Sequence, residues 1–381
     1  MSSREFFLAE CKNLQKRIDR NAQSIRDYEA CLTQALETYK NDILQSITTD
    51  AGIFKEYTYG GDTALKALED SMDEVRDQMR HHCDDWSARI ESTKKNMAFR
   101  RDFGDSLLVY VYGRVKTGKS SLGNYVAWGK IQPDENDVQA GRNDTEFGVR
   151  TSTAESDSGL DRNTQKLRDQ ILREKQFAVD FLEATSCIQY FKKPGITWID
   201  SPGIHSLTEA NGKLAKEYLK CADVVIFTTQ ASSACREDER QELTQIRQTP
   251  FLLMATRCDN LEKDEDENGN IIDVITPKSD KEKTKIIDWC VKSAGDELNM
   301  NEEERQKLRS RTLPVSCYLA ETQGEKESGF DVFFDRLLDV LSSDGLQAKK
   351  NAPLKATLEH LEAVEKDILA DKDLLRKMRG L

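Results

Sequence analysis

Apolar residues recur along the first fifty positions in steps of three and four: Phe7, Cys11, Leu14, Ile18, Ala22, Ile25, Tyr28, Leu32, Leu36, Tyr39, Ile43 and Ile47, with charged residues between. A repeat near 3.6 places them on one face, so one long amphipathic helix is expected. The pattern breaks at Tyr59-Gly60-Gly61. Asp62 then suits the cap of a second helix, with the stripe Leu65, Leu68, Met72, Val75, Met79, Cys83, Trp86 and Ile90. Two such stripes can bury each other as an antiparallel hairpin. Past Leu346 a further helix is expected, with Leu354, Leu358, Leu361, Val364, Ile368 and Leu375 on the face that packs on the hairpin.

Between these helices the period changes. Leu107–Tyr112, Ile196–Ile199, Val224–Thr228, Phe251–Ala255 and Leu313–Ser316 are short apolar runs separated by helical stretches. Strands alternating with helices imply an α/β domain, a mostly parallel sheet with helices on both faces. Cys187–Phe191 reads as one more strand, joined to the Ile196 run by Lys193-Pro194-Gly195, a turn short enough for an antiparallel edge hairpin. The expected organisation is a helical hairpin over 1–102, a nucleotide domain over 103–345 and a C-terminal helix over 346–381 that completes a helical bundle or stalk with the first segment.

Composition narrows the partners. A net charge of -12 with 33% charged residues argues against a duplex-binding surface, so nucleic acid is not expected. The nine cysteines are scattered, odd in number and without C-x-x-C pairs, which suggests neither a disulfide framework nor a zinc ribbon and fits a reducing cytosol. No window has the apolar length of a bilayer span and Met1-Ser-Ser-Arg-Glu-Phe-Phe is unlike a signal peptide, so a cytoplasmic chain is expected, with any membrane contact peripheral or through a membrane-bound partner.

Directly after the first predicted strand comes Gly113-Arg114-Val115-Lys116-Thr117-Gly118-Lys119-Ser120, followed by the helix-compatible Ser121-Leu-Gly-Asn-Tyr-Val. This is G-x-x-x-x-G-K-S in its required strand-loop-helix setting. Loop amides and the helix N-terminus would surround phosphate oxygens. Lys119 would bring positive charge to the terminal phosphates, and the Ser120 hydroxyl would ligate Mg2+. Asp200-Ser-Pro-Gly203 ends the Ile196 strand, where Asp200 would reach the metal through water and the Gly203 amide would sense the terminal phosphate. Between the two, Gly148-Val-Arg-Thr151-Ser-Thr153-Ala-Glu reads as a polar, mobile loop able to bring a threonine onto the metal. Thr153 is the first choice and Thr151 the second, because periodicity does not decide between them.

The base would be read by Thr256-Arg257-Cys258-Asp259, which follows the Phe251 strand and has the shape of [NT]-K-x-D with arginine for lysine. An aspartate here accepts from the N1 and N2 donors of guanine, an arrangement adenine does not present, so GTP and GDP are expected over ATP. The planar head of Arg257 can stack on the loop and base. Ser316, after the Leu313 strand, is a fifth element whose backbone would touch the guanine oxygen.

With these five motifs in order, the chain resembles the TRAFAC class of P-loop GTPases, and in detail the bacterial dynamin-like proteins. Val-Lys-Thr-Gly-Lys-Ser-Ser-Leu is similar to the F-K-A-G-K-S-S-L loops of that group, Gly-Val-Arg-Thr-Ser-Thr-Ala-Glu to their P-T-T-A switch, and long helices flank the domain on both sides. The resemblance covers about 103–345 well and the helices in outline. It implies GTP hydrolysis with Mg2+, Lys119, Thr153 and Gly203 at the reacting phosphate, a homodimer through the nucleotide domains, and a stalk coupled to membrane-associated work. Ile204 stands where Ras-like enzymes carry a water-positioning glutamine, which again resembles the dynamin group. The 346–381 segment is too short for a full trunk and lipid-binding tip, so either the chain is a fragment or membrane remodelling is not its own task. The alternative is a soluble regulatory switch that recruits a protein partner.

Three further features are weighed and set aside. His81-His82-Cys83-Asp84 has adjacent ligand types that point in different directions on a helix. Asp264-Glu-Asp266-Glu-Asn268-Gly269 lacks the glutamate of a calcium loop, Ile275 standing in its place, and reads as a polar hairpin turning at Asn268-Gly269. Between Thr153 and Cys187 a helix-like run from Leu160 to Leu182 is an insertion that a minimal GTPase does not need.

Overall fold

The computed structural model describes residues 1–50, 63–104, 106–140, 144–151, 162–178, 187–201, 215–216, 218–265 and 270–378. The chain forms two compact units, Met1–Asn21 with Phe103–Lys349, and Ala22–Asp102 with Lys350–Leu381.

The first unit is built on β1 (Leu107–Gly113), whose seven residues are all buried. A strand hidden on both faces needs helices above and below it, and this is why the run carries no polar alternation. β1 lies between β4 (Ile196–Asp200) and β5 (Val224–Gln230), parallel to both. β6 (Phe251–Thr256) and β9 (Thr312–Pro314) extend the sheet in the same sense. With β2 (Glu146–Thr151) and β3 (Cys187–Lys193) the order is β2-β3-β4-β1-β5-β6-β9, while β7 (Asp259–Glu265) and β8 (Ile271–Pro277) form a separate antiparallel pair. Because the strands from β4 to β9 run together, the ends of β1, β4 and β6 that carry Gly113, Asp200 and Thr256 share one edge of the sheet.

The antiparallel hairpin of β3 (Cys187–Lys193) and β4 forms as the Lys193-Pro194-Gly195 turn implies, but it is not the edge of the sheet. The edge is β2 (Glu146–Thr151), which pairs with β3 and occupies the stretch expected to be a mobile loop. Its signal is weak in sequence because the strand is anchored chiefly by Phe147, which packs with Trp128, Phe177 and Phe191. The strand expected over Leu313–Ser316 ends instead at Pro314. The helix expected from Leu160 to Leu182 is described only over Arg162–Glu174; Phe177 beyond it leaves the helix and donates its amide to Asn124 Oδ1.

The long N-terminal helix forms as one element, α1 (Ser3–Asp50), yet its apolar stripe does not serve one partner. Phe7, Cys11, Leu14 and Ile18 are buried in the core of the first unit, with Phe7 5.2 Å from the Phe334 ring. In the second unit, Leu36 packs with Ile90 and Met97 of α2 (Thr63–Asp102). The expected α1–α2 burial therefore holds for the later turns and not for the first five. Asp62 and the Tyr59-Gly60-Gly61 break lie outside the described residues, as do the side chains of the early α2 stripe.

The C-terminal helix, Leu346–Met378, packs on α1 and α2 within the second unit as expected at Val364, but not through most of the expected stripe. Val364 is buried with Cys83 and Trp86, and Trp86 Nε1 donates to Asp367 at 2.8 Å. Leu354, Leu358, Leu361 and Ile368 are exposed by 40–50%. Beside Val364, the buried positions are Pro353 and His360, and a hydropathy pattern does not register a proline and a histidine as core. His360 is 3% exposed, meets Tyr39 edge to face at 6.0 Å, and has no hydrogen-bond partner on either ring nitrogen.

Two outcomes follow. Gly195 has φ +82, and a Cβ there would stand 2.2 Å from the Cys11 carbonyl oxygen of α1. Gly195→Ala should cost about 2 kcal/mol or more, read as a lower urea midpoint for the first unit. Burial pushes His360 below its ordinary 6.5, aided by Arg89. In acid the unfolded chain then binds more protons than the folded one, so the contribution is complete above that value and lost as pH falls through the folded-state value. His360→Leu should make the second unit more stable than wild type at pH 5, by on the order of 1 kcal/mol, with a smaller gain at pH 8.

Candidate nucleotide site

The loop between β1 and α3 (Lys119–Trp128) carries left-handed backbone at Lys116 (φ 65) and Gly118 (φ 81). Gly113 approaches β5 so closely that a Cβ would lie 2.3 Å from Thr228 O and Oγ1. Lys116 is not a glycine, so its conformation has to be held from outside. Gln230 Nε2 donates to the Lys116 carbonyl at 3.0 Å. The Thr117 hydroxyl lies 2.7 Å from both Arg114 O and Thr228 Oγ1. Arg114 itself pairs with Asp238 at 3.2 Å, on the helix Glu237–Ile246.

Lys119 Nζ donates to the carbonyls of Gly113 at 3.1 Å and Arg114 at 2.7 Å. Burial lowers its pKa to about 8, and Asp200 opposes that shift. Ser120 Oγ donates to Asp200 Oδ2 at 2.6 Å. Val115 and Ser121 are half-buried on either side of this cluster. Asp200 is 3% exposed, and its second oxygen, Oδ1, is buried without a partner. Desolvation raises its pKa to about 6 against the pull of Lys119 and Ser120. A buried carboxylate oxygen left unsatisfied beside a hydroxyl is a costly arrangement. It fits a hard divalent cation such as Mg2+, and the residues that would hold one are Ser120 and Asp200.

The base side is tied to the same loop. Thr256 Oγ1, at the end of β6, lies 2.8 Å from Thr117 O and 3.0 Å from Thr229 O. Arg257 follows with φ 53 and an exposed side chain, and the Cys258 amide donates to Val315 O at 3.0 Å. Ser316 Oγ donates to Asp259 Oδ2 at 2.5 Å and accepts from the Leu319 amide at 3.2 Å. The carboxylate is thus oriented by its neighbour. Against the expectation that the Ser316 backbone touches the guanine oxygen, its amide already donates to Ser328 O at 3.1 Å, and its hydroxyl is on Asp259.

The structure therefore brings Gly113–Ser121, Asp200, Thr256, Arg257, Asp259 and Ser316 to one edge of the sheet. Thr151 ends β2, where its backbone pairs with Cys187; its side chain lies outside the described residues, and so do Thr153, Gly203 and Ile204. Sequence reasoning missed Thr228 and Gln230, which hold the loop from β5, and Thr229, whose carbonyl takes the Thr256 hydroxyl. The available signal was two threonines closing an otherwise apolar run, at the same end of their strand as Gly113 and Thr256.

Residues 109–250 match the family model described as Dynamin family. An uncharacterized protein of Acinetobacter baylyi is 23% identical over 304 residues, covering 77% of this chain and 54% of its own length, so the chain spans about half of that relative. Among solved structures, Toc33 from Arabidopsis thaliana in complex with GDP and Mg2+ is 15% identical with TM-score 0.35, covering 66% of this chain and 91% of that one. The LeoA bacterial dynamin GTPase from ETEC is 12% identical with TM-score 0.39, covering 88% and 48%. A chain of an oligomerised bacterial dynamin pair is 16% identical with TM-score 0.40, covering 88% and 52%.

The raised pKa of Asp200 gives a direct test of the cation assignment. Below about 6 a proton competes with the metal for the carboxylate; above it the carboxylate is ionised. Mn2+ binding followed by electron paramagnetic resonance should tighten about tenfold per pH unit below the midpoint and level off above pH 7. Asp200→Asn should abolish that dependence.

Proposed function

We infer from the match of residues 109–250 to the Dynamin family model and from the site geometry that the chain is a dynamin-like P-loop GTPase that binds GTP with Mg2+, hydrolyses it, pairs with a second copy through the nucleotide-bearing units, and passes the nucleotide state to the helices. The observation that carries the guanine reading is the pairing of Asp259 with Ser316, on a strand end whose Thr256 reaches back to the phosphate loop. A carboxylate fixed in advance accepts two donors from guanine and would leave a polar group unpaired against adenine, so the site discriminates by the cost of an unmade hydrogen bond.

Hydrolysis on this reading is positioning and charge compensation. Lys119 sits among loop carbonyls, where phosphate oxygens are stronger acceptors for an ammonium. Ser120 and Asp200 would hold Mg2+, which supplies charge neutralisation at the phosphates. Thr153 and Gly203 are proposed to complete the site at the terminal phosphate, Thr153 as a metal ligand and Gly203 through its amide. No residue is assigned as a general base.

Among the described residues no helix is long and apolar enough to cross a membrane. Work at a membrane is therefore proposed as peripheral, through a surface or a partner.

Hydrolysis of GTP and ATP across a range of protein concentrations tests the reading. The expected result is GTP-selective turnover whose specific activity climbs with concentration. Lys119→Ala should abolish turnover, and Asp259→Ala should reduce the GTP preference by about 100-fold or more. Flat, slow turnover at every concentration, unchanged by liposomes, would replace the pairing enzyme with a switch that recruits a partner. ATP preference would overturn the base-site assignment.

A further inference from the structure

We propose that Arg4 is a positioning residue of the nucleotide site, joining its phosphate and base halves through the first turn of α1 so that occupancy of the site is felt by that helix; this rests on the guanine-nucleotide reading above.

The first amides of a helix have no partner within it. In α1 the amides of Ser3 and Arg4 donate to the two carboxylate oxygens of Glu325 at 2.6 and 3.1 Å. Glu325 opens the short helix Glu325–Ser328. The Ser328 carbonyl of that helix takes the Ser316 amide, and the Ser316 hydroxyl holds Asp259. This is the base half.

The Arg4 side chain turns the other way, onto the phosphate half. Its Nε lies 3.1 Å from Tyr125 O and 3.0 Å from Val126 O, and Nη2 lies 2.5 Å from Ala127 O. These are among the last carbonyls of α3, the ten-residue helix whose first turn carries Lys119 and Ser120. The guanidinium fork takes the Val126 and Ala127 carbonyls at the C-terminal end of α3 and shares the Tyr125 carbonyl with the Gly129 amide, which donates to it at 2.7 Å. It also places a cation at the negative end of the dipole whose positive end faces the phosphates. Burial lowers the Arg4 pKa, and the guanidinium stays charged across the working range.

One residue thus bonds to α3 through its side chain and to the Glu325–Ser316–Asp259 chain through its backbone. A ligand gripped by the phosphate loop at one end and by Asp259 at the other fixes the same two halves. Nucleotide and clamp then stabilise each other by an equal factor, as linkage requires. The clamp sits at the start of the helix that continues to Asp50, so the reporter of occupancy is the first turn of α1.

The test measures amide hydrogen exchange in peptides covering residues 3–8 of the full chain, with and without saturating GDP and Mg2+, beside fluorescent-GDP affinity. In wild type, GDP should slow exchange there by about fivefold or more. In Arg4→Gln that protection should vanish and GDP affinity should fall by a similar factor, while Arg4→Lys, which keeps the charge, should recover part of both. Glu325→Gln, which leaves the side-chain contacts to α3 intact, should weaken the protection and serves as the second variant if Arg4→Gln does not fold. If wild type binds GDP with no change in α1 exchange, or if Arg4→Gln lowers Tm while GDP affinity and protection stay within twofold, Arg4 is a structural cap and the proposal falls, with the guanine reading intact. If wild type binds no GDP, the guanine reading fails and takes the proposal with it.

Discussion

The phosphate loop depends on a few buried hydroxyls. Its backbone passes through left-handed geometry at Lys116 and Gly118 and crowds β5 at Gly113, a path that an isolated peptide would not hold. What holds it is Thr117 against Thr228, Gln230 on the Lys116 carbonyl, and Thr256 reaching from β6 to Thr117 O. Each bond contributes modestly by itself, on the order of 1 kcal/mol. Together they tie the ends of β1, β5 and β6 into one rigid rim. The loop is thereby held in one shape, and the Thr256 strand end is fixed relative to it; on the proposed reading these are the phosphate and base halves of the site.

That rim makes the charges inside it expensive. Lys119 and Asp200 are both buried, and desolvation moves each toward its neutral form, while their mutual attraction works against the shift. The unsatisfied Asp200 oxygen adds to the cost. On the proposed reading, phosphate and a divalent cation would offset that electrostatic cost, and groups held dry and pre-aimed would need no reorganisation as charge develops. At the base end Ser316 does for Asp259 what Ser120 does for Asp200: a hydroxyl orients the carboxylate.

The helices add a second constraint. α1 spends Phe7 to Ile18 on the core of the first unit and Leu36 on that of the second, so one continuous element belongs to both. In the first unit its register is fixed where Gly195 meets the Cys11 carbonyl and Gln15 accepts from the Gly195 amide. The exposed leucines of the C-terminal helix show the limit of period reading. A face can have the right spacing and still not be the one that packs.

Local sequence determined the elements whose chemistry is local. The G-x-x-x-x-G-K-S loop, the Asp200 and Thr256–Asp259 strand ends, the apolar runs of β1, β4, β5 and β6, and the single long helix from Ser3 were all legible, because each depends on residues near one another in the chain. The tertiary structure alone decided what depends on distant partners. It turned Gly148–Thr151 into an edge strand by pairing it with β3. It turned the C-terminal helix to bury Pro353 and His360 beside the expected Val364, and it gave the Ser316 amide to Ser328 and left its hydroxyl for Asp259. It also recruited Thr228 and Gln230 to the phosphate loop and Arg4 to the far end of α3. Hydropathy spacing records which residues avoid water; it does not record which of several apolar or polar faces finds a partner, and hydrogen bonds across a hundred residues or more leave no periodic trace.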